Sequence, residues 1–199
     1  MPQTSETHPL QVGWLAGPWP GRIGLTFAPG KQQADALSGA WMRDLQLDLH
    51  QLRMVHDAQQ LVCLLEDHEL AELAIPDLAQ RALVAGLLFS RLRIQDGIIP
   101  VDVAAVRVLV RQICDWAAAG QTTVIHCKGG LGRAGTIGGC VLRAAGVDAA
   151  ATFAALVAAR SELPGNKCAA FLCSSLRLQL RRIPGRMWLT ESHRRAEVW

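Results

Sequence analysis

Short apolar runs alternate with stretches of helical spacing along most of the chain. Runs rich in β-branched and other apolar residues, bounded by glycine and proline, predict strands over residues 12–15, 22–27, 60–65, 89–94 and 122–126. Apolar residues repeated every three or four positions predict helices over residues 43–57, 67–73, 76–85, 102–118, 133–144, 148–160 and 167–183. Strands that alternate with helices, followed by a run of helices, predict an α/β fold with a central, mainly parallel sheet flanked by helices. In such sheets, ligands bind where a strand gives way to a helix.

The composition is that of one compact domain. Of the 199 residues, 50% are hydrophobic and 19% are charged, which excludes extensive disorder. We expect a flexible N-terminal tail over residues 1–10, one domain over residues 11–183 and a basic C-terminal tail over residues 184–199. The polar N-terminus and the short apolar runs predict neither a signal peptide nor a membrane span. A cytoplasmic protein is therefore expected, and we expect it to be a monomer.

Net charge and cysteine spacing narrow the function classes. A net charge of +3 is too small to indicate nucleic-acid binding, although it suits a site that attracts anions. The six cysteines lack the spacing of zinc ligands, and without a secretion signal we expect them to be reduced. The sequence thus predicts no metal, no cofactor, and no nucleic-acid or membrane partner.

The segment that follows the strand over residues 122–126 carries the clearest chemical pattern. The strand delivers Cys127 to the edge of the sheet, and a helix begins at Arg133. Between them, a glycine-rich loop allows the backbone to fold into a cradle whose N–H groups point inward at an anion. The helix N-terminus adds partial positive charge, and the guanidinium can grip two phosphate oxygens. The predicted phosphate-binding residues are Lys128, Gly129, Gly130, Leu131, Gly132 and Arg133.

Cys127 is predicted to be a nucleophile. The helix N-terminus and the guanidinium of Arg133 favour its thiolate, and a thiolate that faces bound phosphate is placed for in-line attack on phosphorus. The donors that hold the phosphate can also stabilise the equatorial oxygens of the transition state, so this chemistry requires no metal. The simpler alternative is a structural cysteine, buried where a strand turns into a helix.

Residues 126–133 resemble the His-Cys-x-x-Gly-x-x-Arg signature of the protein tyrosine and dual-specificity phosphatases. The nearest likeness is to the cyclin-dependent kinase-associated phosphatase group, since residues 94–102 resemble that group's Asp-Gly-x-x-Pro-Asp loop. A weaker likeness covers residues 27–31. The resemblance implies the fold of these phosphatases, a phosphocysteine intermediate, and a phosphorylated protein as the substrate, with dual-specificity activity.

Asp96 is predicted to be the general acid. Cleavage of a phosphate ester needs a proton for the leaving oxygen, and a carboxylic acid on a mobile loop can supply it. The motif match and the adjacent Gly97 select Asp96, although its carboxylate could instead cap a turn. Asp102 is a second candidate, but its place before an apolar helix favours an N-cap.

Supporting roles follow from the neighbours of the motif. His126 is expected to hydrogen-bond around the loop and keep Cys127 ionised, or to be purely structural, and Lys128 can steer anions at the rim. By the resemblance, Asn166 stands in for a glutamine that positions the hydrolytic water. The resemblance fails at Ala134, because a serine or threonine normally follows the arginine and helps the thiolate to leave. Slow hydrolysis of the phosphocysteine is the expected consequence.

Two other functions stay open at this point. A module of the same fold that binds a phosphorylated partner without turnover is favoured by Ala134 and opposed by the intact Cys127, Arg133 and Asp96. An arsenate reductase or sulfurtransferase also cradles its substrate with a cysteine loop, but the spacing from Cys127 to Arg133 and the Asp96 loop favour phosphate. Among phosphates, the substrate can be phosphotyrosine, phosphoserine or phosphothreonine, a phosphoinositide, or a nucleotide-like molecule.

Overall fold

The computed structural model describes residues 1–36, 39–98, 100–161 and 163. The strands within them are β1 (Gly13–Trp14), β2 (Arg22–Thr26), β3 (Gln32–Gln33), β4 (Trp41–Met42), β5 (Gln60–Cys63), β6 (Leu88–Arg91) and β7 (Thr122–His126). The helices are α1 (Leu45–Met54), α2 (Asp67–Glu72), α3 (Leu78–Val84), α4 (Val103–Ala118), α5 (Arg133–Ala144) and α6 (Ala149–Ser161). None of these described helices is long and apolar enough to span a bilayer. The helix predicted over residues 167–183 and the basic tail over residues 184–199 lie outside the described residues.

Five strands form the central sheet in the order β1-β2-β7-β5-β6. The strands β2, β7, β5 and β6 run parallel, and β1 pairs antiparallel with β2 at one edge. The α/β fold with a central, mainly parallel sheet flanked by helices, predicted from the sequence, is confirmed. Because β7 has neighbours on both sides, all of its residues are buried, which suits its run of β-branched side chains.

Apolar side chains cover both faces of this sheet. On one face, the core joins the sheet to α4, α5 and α6 through side chains such as Leu25, Ile113, Ile137 and Leu156. On the other face, it joins the sheet to α1 and α3 through side chains such as Leu49, Leu61, Leu78 and Val124. Burial of this apolar surface holds β7 between two packed layers, so the residues at its carboxyl end are fixed in place.

Several element boundaries differ from the sequence prediction by up to three residues. The helix predicted over residues 67–73 is α2, which ends at Glu72, and its N-cap is Glu66, because Glu66 and Glu69 satisfy each other's backbone N–H groups in a capping box. The strand predicted over residues 89–94 is β6, which ends at Arg91. The short antiparallel pair of β3 and β4 was not predicted, since two-residue strands leave no alternating pattern in a sequence.

The first ten residues are joined to the domain, whereas the sequence predicted a flexible tail. The backbone N–H of Met42 donates to the carbonyl of Gln3 at 3.1 Å, and the Arg43 guanidinium donates to the carbonyl of His8 at 2.7 Å. The side chain of Leu10 is fully buried. Backbone contacts of this kind need no apolar side chains, so the polar composition of the segment did not reveal them.

Candidate active site

The centre of the sheet delivers Cys127 to the candidate site. The strand β7 ends at His126, the side chain of Cys127 is only 3% exposed, and α5 begins at Arg133 with Gly132 as its N-cap. The strand, the loop over residues 127–132 and the helix therefore follow one another as the sequence predicted. The N-terminus of the twelve-residue helix α5 faces the same carboxyl end of the sheet, which favours a bound anion there.

Gly130 shows why the loop must contain glycine at one position. Its φ is +75°, and a Cβ added there would lie 2.7 Å from the carbonyl carbon of Thr26 and 2.8 Å from the backbone nitrogen of Phe27. No side chain fits at that distance, and the left-handed backbone would strain any residue with a Cβ. The cradle is therefore packed directly against the end of β2, where Ala28 N–H also donates to the Lys128 carbonyl at 3.4 Å.

Arg133 is fixed by a buried carboxylate that sequence reasoning did not assign to the site. Its Nη1 and Nη2 donate to the two oxygens of Glu69 at 2.5 and 2.7 Å, and Nη1 also donates to the carbonyl of Ile94 at 2.9 Å. Burial opposes charge on both groups, but their paired hydrogen bonds prevail, so the pKa of Glu69 is lowered and that of Arg133 is raised. The pair is charged, and Glu69 orients the guanidinium.

The edge of the guanidinium that Glu69 leaves free can receive a phosphate. An arginine has five N–H donors, and the two carboxylate oxygens occupy the end formed by Nη1 and Nη2. The other edge consists of Nε–H and the adjacent Nη2–H, which match two oxygens of a phosphate. The buried Nε of Arg133 makes no hydrogen bond within the described part of the chain, although a carboxylate oxygen of Asp96 lies 3.1 Å away as an ion pair.

Asp96 lies at the open side of this site. Its side chain is 70% exposed, and the adjacent Gly97 has a φ of +75° in a turn with open space around it. The structure therefore brings Asp96 to Arg133 at the mouth of the cradle. Asp102 has a different position, since its side chain accepts the backbone N–H of Ala105 at 2.9 Å and caps α4.

His126 is fully buried between β2 and β5, opposite Thr26 and Cys63. Burial lowers the pKa of His126 to about 3, against a smaller opposing contribution from the Cys127 backbone. The imidazole is therefore neutral near pH 7. Neither ring nitrogen has a hydrogen-bond partner among the described residues. His126 therefore supports the loop by packing, and the predicted role of keeping Cys127 ionised is wrong, because a neutral ring brings no positive charge.

The remaining predicted residues lie around the loop or beyond the described ranges. Lys128 extends toward Glu72 on α2, with 3.3 Å between Nζ and the carboxylate, and Leu131 packs against the core. Ala134 is fully buried in the first turn of α5, and the Thr136 hydroxyl donates to the carbonyl of Gly132 at 3.2 Å. Asn166 lies outside the described residues. Within those residues, no cluster of three histidine, cysteine or acidic side chains is arranged to hold a metal ion.

Sequence reasoning missed Glu69 as a site residue, although a signal for it exists. The strand β5 is the parallel neighbour of β7, so the residues that follow β5 reach the same end of the sheet. An acidic residue on the helix after that strand is therefore well placed to meet a basic residue after β7. That reasoning selects a region holding several acidic residues, and only the structure singles out Glu69.

Comparisons with known proteins agree with this geometry. Residues 46–177 match the family model described as Swiss Army Knife protein, DSP-PTPase phosphatase domain. The structure is similar to that of kinase associated phosphatase (KAP) with its catalytic-site cysteine replaced by serine, at 21% identity and a TM-score of 0.67, over 88% of this chain and 98% of that one. It is also similar to Tk-PTP in the active form, at 25% identity and a TM-score of 0.56, over 82% and 94% of the two chains.

A third similar structure is PTPMT1 in complex with PI(5)P, at 16% identity and a TM-score of 0.54, over 80% of this chain and 92% of that one. A comparison with curated protein sequences finds no significant match. At 21% and 16% identity, the similarities to KAP and PTPMT1 concern the fold alone.

Proposed function

The chain belongs to the DSP-PTPase phosphatase-domain family of Swiss Army Knife proteins, and we propose that it hydrolyses phosphate monoesters through a phosphocysteine on Cys127. One observation carries this proposal. Glu69 occupies the end of the Arg133 guanidinium and leaves its side-on edge for a phosphate, next to the loop that holds Cys127. A purely structural cysteine at a strand end would not need a buried arginine oriented in this way.

The proposed reaction has two steps. The Cys127 thiolate attacks phosphorus, the P–S bond forms and the ester P–O bond breaks, while Asp96 gives its proton to the leaving oxygen. Water then attacks the phosphocysteine, Asp96 accepts a proton from it, and the thiolate leaves. The loop amides and Arg133 hold the equatorial oxygens through both steps. Because these groups supply the positive charge, the proposed mechanism uses no metal.

We propose a phosphorylated protein as the substrate, with dual specificity for phosphotyrosine and for phosphoserine or phosphothreonine. Family membership supports this choice. The test is hydrolysis of matched phosphotyrosine, phosphoserine and phosphothreonine peptides, with a phosphoinositide as a further substrate. Preferred turnover of the peptides supports a protein phosphatase. Preferred turnover of the phosphoinositide would contradict a phosphoprotein substrate, but it would remain consistent with the phosphocysteine mechanism.

Replacing Asp96 with alanine is expected to slow hydrolysis most for substrates with poor leaving groups. A general acid contributes roughly 10²- to 10⁴-fold when the leaving oxygen needs a proton, and little when it does not. The measurement is kcat/KM across aryl phosphates whose leaving phenols differ in pKa. The matched control is Asp102→Ala, which removes the cap of α4 and should leave the leaving-group dependence unchanged. If kcat/KM became more dependent on the leaving group in Asp102→Ala and not in Asp96→Ala, Asp102 would be the general acid.

A phosphate-binding module of the same fold is the second candidate, and the buried Ala134 favours it. In the phosphatases that the chain resembles, a hydroxyl at this position helps the thiolate to leave. Without that hydroxyl, phosphocysteine can form and persist, and the protein then retains its partner. The Thr136 hydroxyl donates to the Gly132 carbonyl within α5.

Replacing Ala134 with serine is expected to accelerate hydrolysis of the phosphocysteine about tenfold, because one hydrogen bond to a charged sulfur contributes on this scale. Pre-steady-state kinetics measure this step as the slow phase after the first turnover. Ala134→Gly is the matched control, since it changes the same position without adding a hydroxyl. Equal slow phases in the wild type and Ala134→Ser would show that this residue does not limit turnover.

A further inference from the structure

Lys31 is a buried cation outside the predicted site. The residue is 4% exposed, and its Nζ lies 4.4 Å from the centre of the Trp41 ring and 5.5 Å from that of Phe27. Lysine is almost never buried unless it is paired with an opposite charge. Aromatic faces attract an ammonium, but they replace only part of its lost hydration. The buried ammonium of Lys31 therefore costs free energy that the two rings only partly offset.

The cradle is next to this lysine. The segment over residues 27–31 continues from β2, and it contacts the loop after β7 through the hydrogen bond from Ala28 N–H to the Lys128 carbonyl. Gly130 lies against the start of the same segment. A thiolate on Cys127 raises the pKa of Lys31, and the charge of Lys128 lowers it. Lys31 thus flanks the anion-binding loop.

Three neighbouring cations among the described residues have carboxylate partners. Both oxygens of Asp48 accept hydrogen bonds from Arg43, and both oxygens of Glu69 accept from Arg133. Lys128 pairs with Glu72. Among the described residues, Lys31 is in contact with ring faces and with no carboxylate. Within the described part of the chain, Lys31 is therefore the cation of this group that has no carboxylate partner.

The backbone framework holds Lys31 in place despite this cost. The Arg43–Asp48 pair is fully buried, and Asp48 also accepts the backbone N–H of Gly30 at 2.8 Å. The carbonyl of Lys31 itself accepts the backbone N–H of Arg43 at 3.3 Å. These contacts fix the backbone on both sides of Lys31. The backbone of Lys31 is thus fixed in the segment that packs against the cradle.

We propose that Lys31 is a further phosphate-binding residue, whose ammonium holds the phosphate dianion of the substrate together with the loop amides and the free edge of Arg133. This proposal rests on the proposed phosphatase function. Glu69 balances the charge of Arg133, so the ammonium of Lys31 adds positive charge that favours a bound dianion. A buried charge that is costly in the free protein and satisfied by the ligand is a device for binding.

The first test measures binding of inorganic phosphate by calorimetry to Cys127→Ser and to the double variant Cys127→Ser, Lys31→Met. Methionine resembles the lysine stem in length and removes a buried charge. We expect at least about tenfold weaker binding in the double variant, with a thermal unfolding midpoint that is unchanged or higher. Equal phosphate affinities would overturn the role of Lys31. No phosphate binding to Cys127→Ser itself would instead overturn the proposed function.

A second readout needs no substitution at residue 31. Burial and the nearby Arg43 lower the pKa of Lys31 to about 8, Cys127 raises it, and Lys128 lowers it. Sulfate stays a dianion between pH 6 and pH 10, roughly, and carries the same charge as the bound phosphate. Cys127→Ser lacks the thiolate that raises this pKa, so in that variant sulfate affinity should already be falling as the pH approaches and passes about 8, as Lys31 loses its charge. A constant affinity across this range would contradict the proposal.

Discussion

Replacing Cys127 with serine is expected to abolish hydrolysis of phosphate monoesters while leaving phosphate affinity within a few-fold of the wild type. The serine hydroxyl fits the same space, but a hydroxyl is a much weaker nucleophile than a thiolate, and the adjacent His126 is buried and neutral, so it brings no positive charge that would favour an alkoxide. The backbone cradle and Arg133 do not depend on the sulfur. Loss of a nucleophile costs at least about 10⁴-fold in kcat.

Activity against an aryl phosphate and calorimetry with inorganic phosphate measure the two effects of Cys127→Ser separately. The matched control is Cys114→Ser on α4, where burial raises the pKa of the thiol to about 11. This variant should retain wild-type activity, because its cysteine lies on another element. Comparable losses in both variants would mean that serine substitution harms the fold rather than the chemistry.

Replacing Glu69 with glutamine is expected to destabilise the protein by about 3–5 kcal/mol and to lower kcat/KM at least tenfold. Removing one partner leaves the Arg133 guanidinium buried without its counter-ion, which is among the most costly single changes. The amide also places an NH₂ group against the N–H groups of Arg133. The edge of the guanidinium formed by Nε and Nη2 is then no longer held toward the cradle. Denaturant unfolding measures the first effect, and steady-state kinetics measure the second.

The pH dependence of the stability of Glu69→Gln distinguishes the contribution of the Glu69 charge from that of its packing. The folded-state pKa of Glu69 is lowered, so its stabilising contribution is present above the ordinary value of 4.5 and is lost as the pH falls through the folded value. The stability difference between the wild type and Glu69→Gln should therefore shrink in acid. Glu72→Gln, on the same helix, removes only the exposed pair with Lys128 and should cost less than about 1 kcal/mol. Equal effects at both positions would argue against a special role for Glu69.

Much of the fold follows from local patterns in the sequence. The β-branched run of β7, the glycines after it and the periodic helix α5 are encoded by neighbouring residues, so their order and bounds were predicted. The same is true of the helix α4 and its cap at Asp102. The segment over residues 1–10 was predicted less well, because its attachment depends on backbone hydrogen bonds to β4.

Long-range pairs account for what the sequence did not reveal about the site. Glu69 and Arg133 are separated by 64 positions, and each is unremarkable in its own helix. Lys31 is separated from Cys127 by more than ninety positions and lies in a segment with no periodicity. Local patterns identify groups capable of chemistry, whereas partners supplied by other strands of a parallel sheet emerge only from its topology.

The most direct test of phosphocysteine catalysis is stopped-flow hydrolysis of an aryl phosphate in the presence of a metal chelator, with Cys127→Ser as the control. We expect the wild type to release one equivalent of phenol per active site in a rapid burst, followed by slower steady turnover, with the phosphoryl group on Cys127. We expect neither phase from Cys127→Ser. Turnover that persists in Cys127→Ser, or the absence of both burst and turnover in the wild type, would contradict a phosphatase that acts through Cys127.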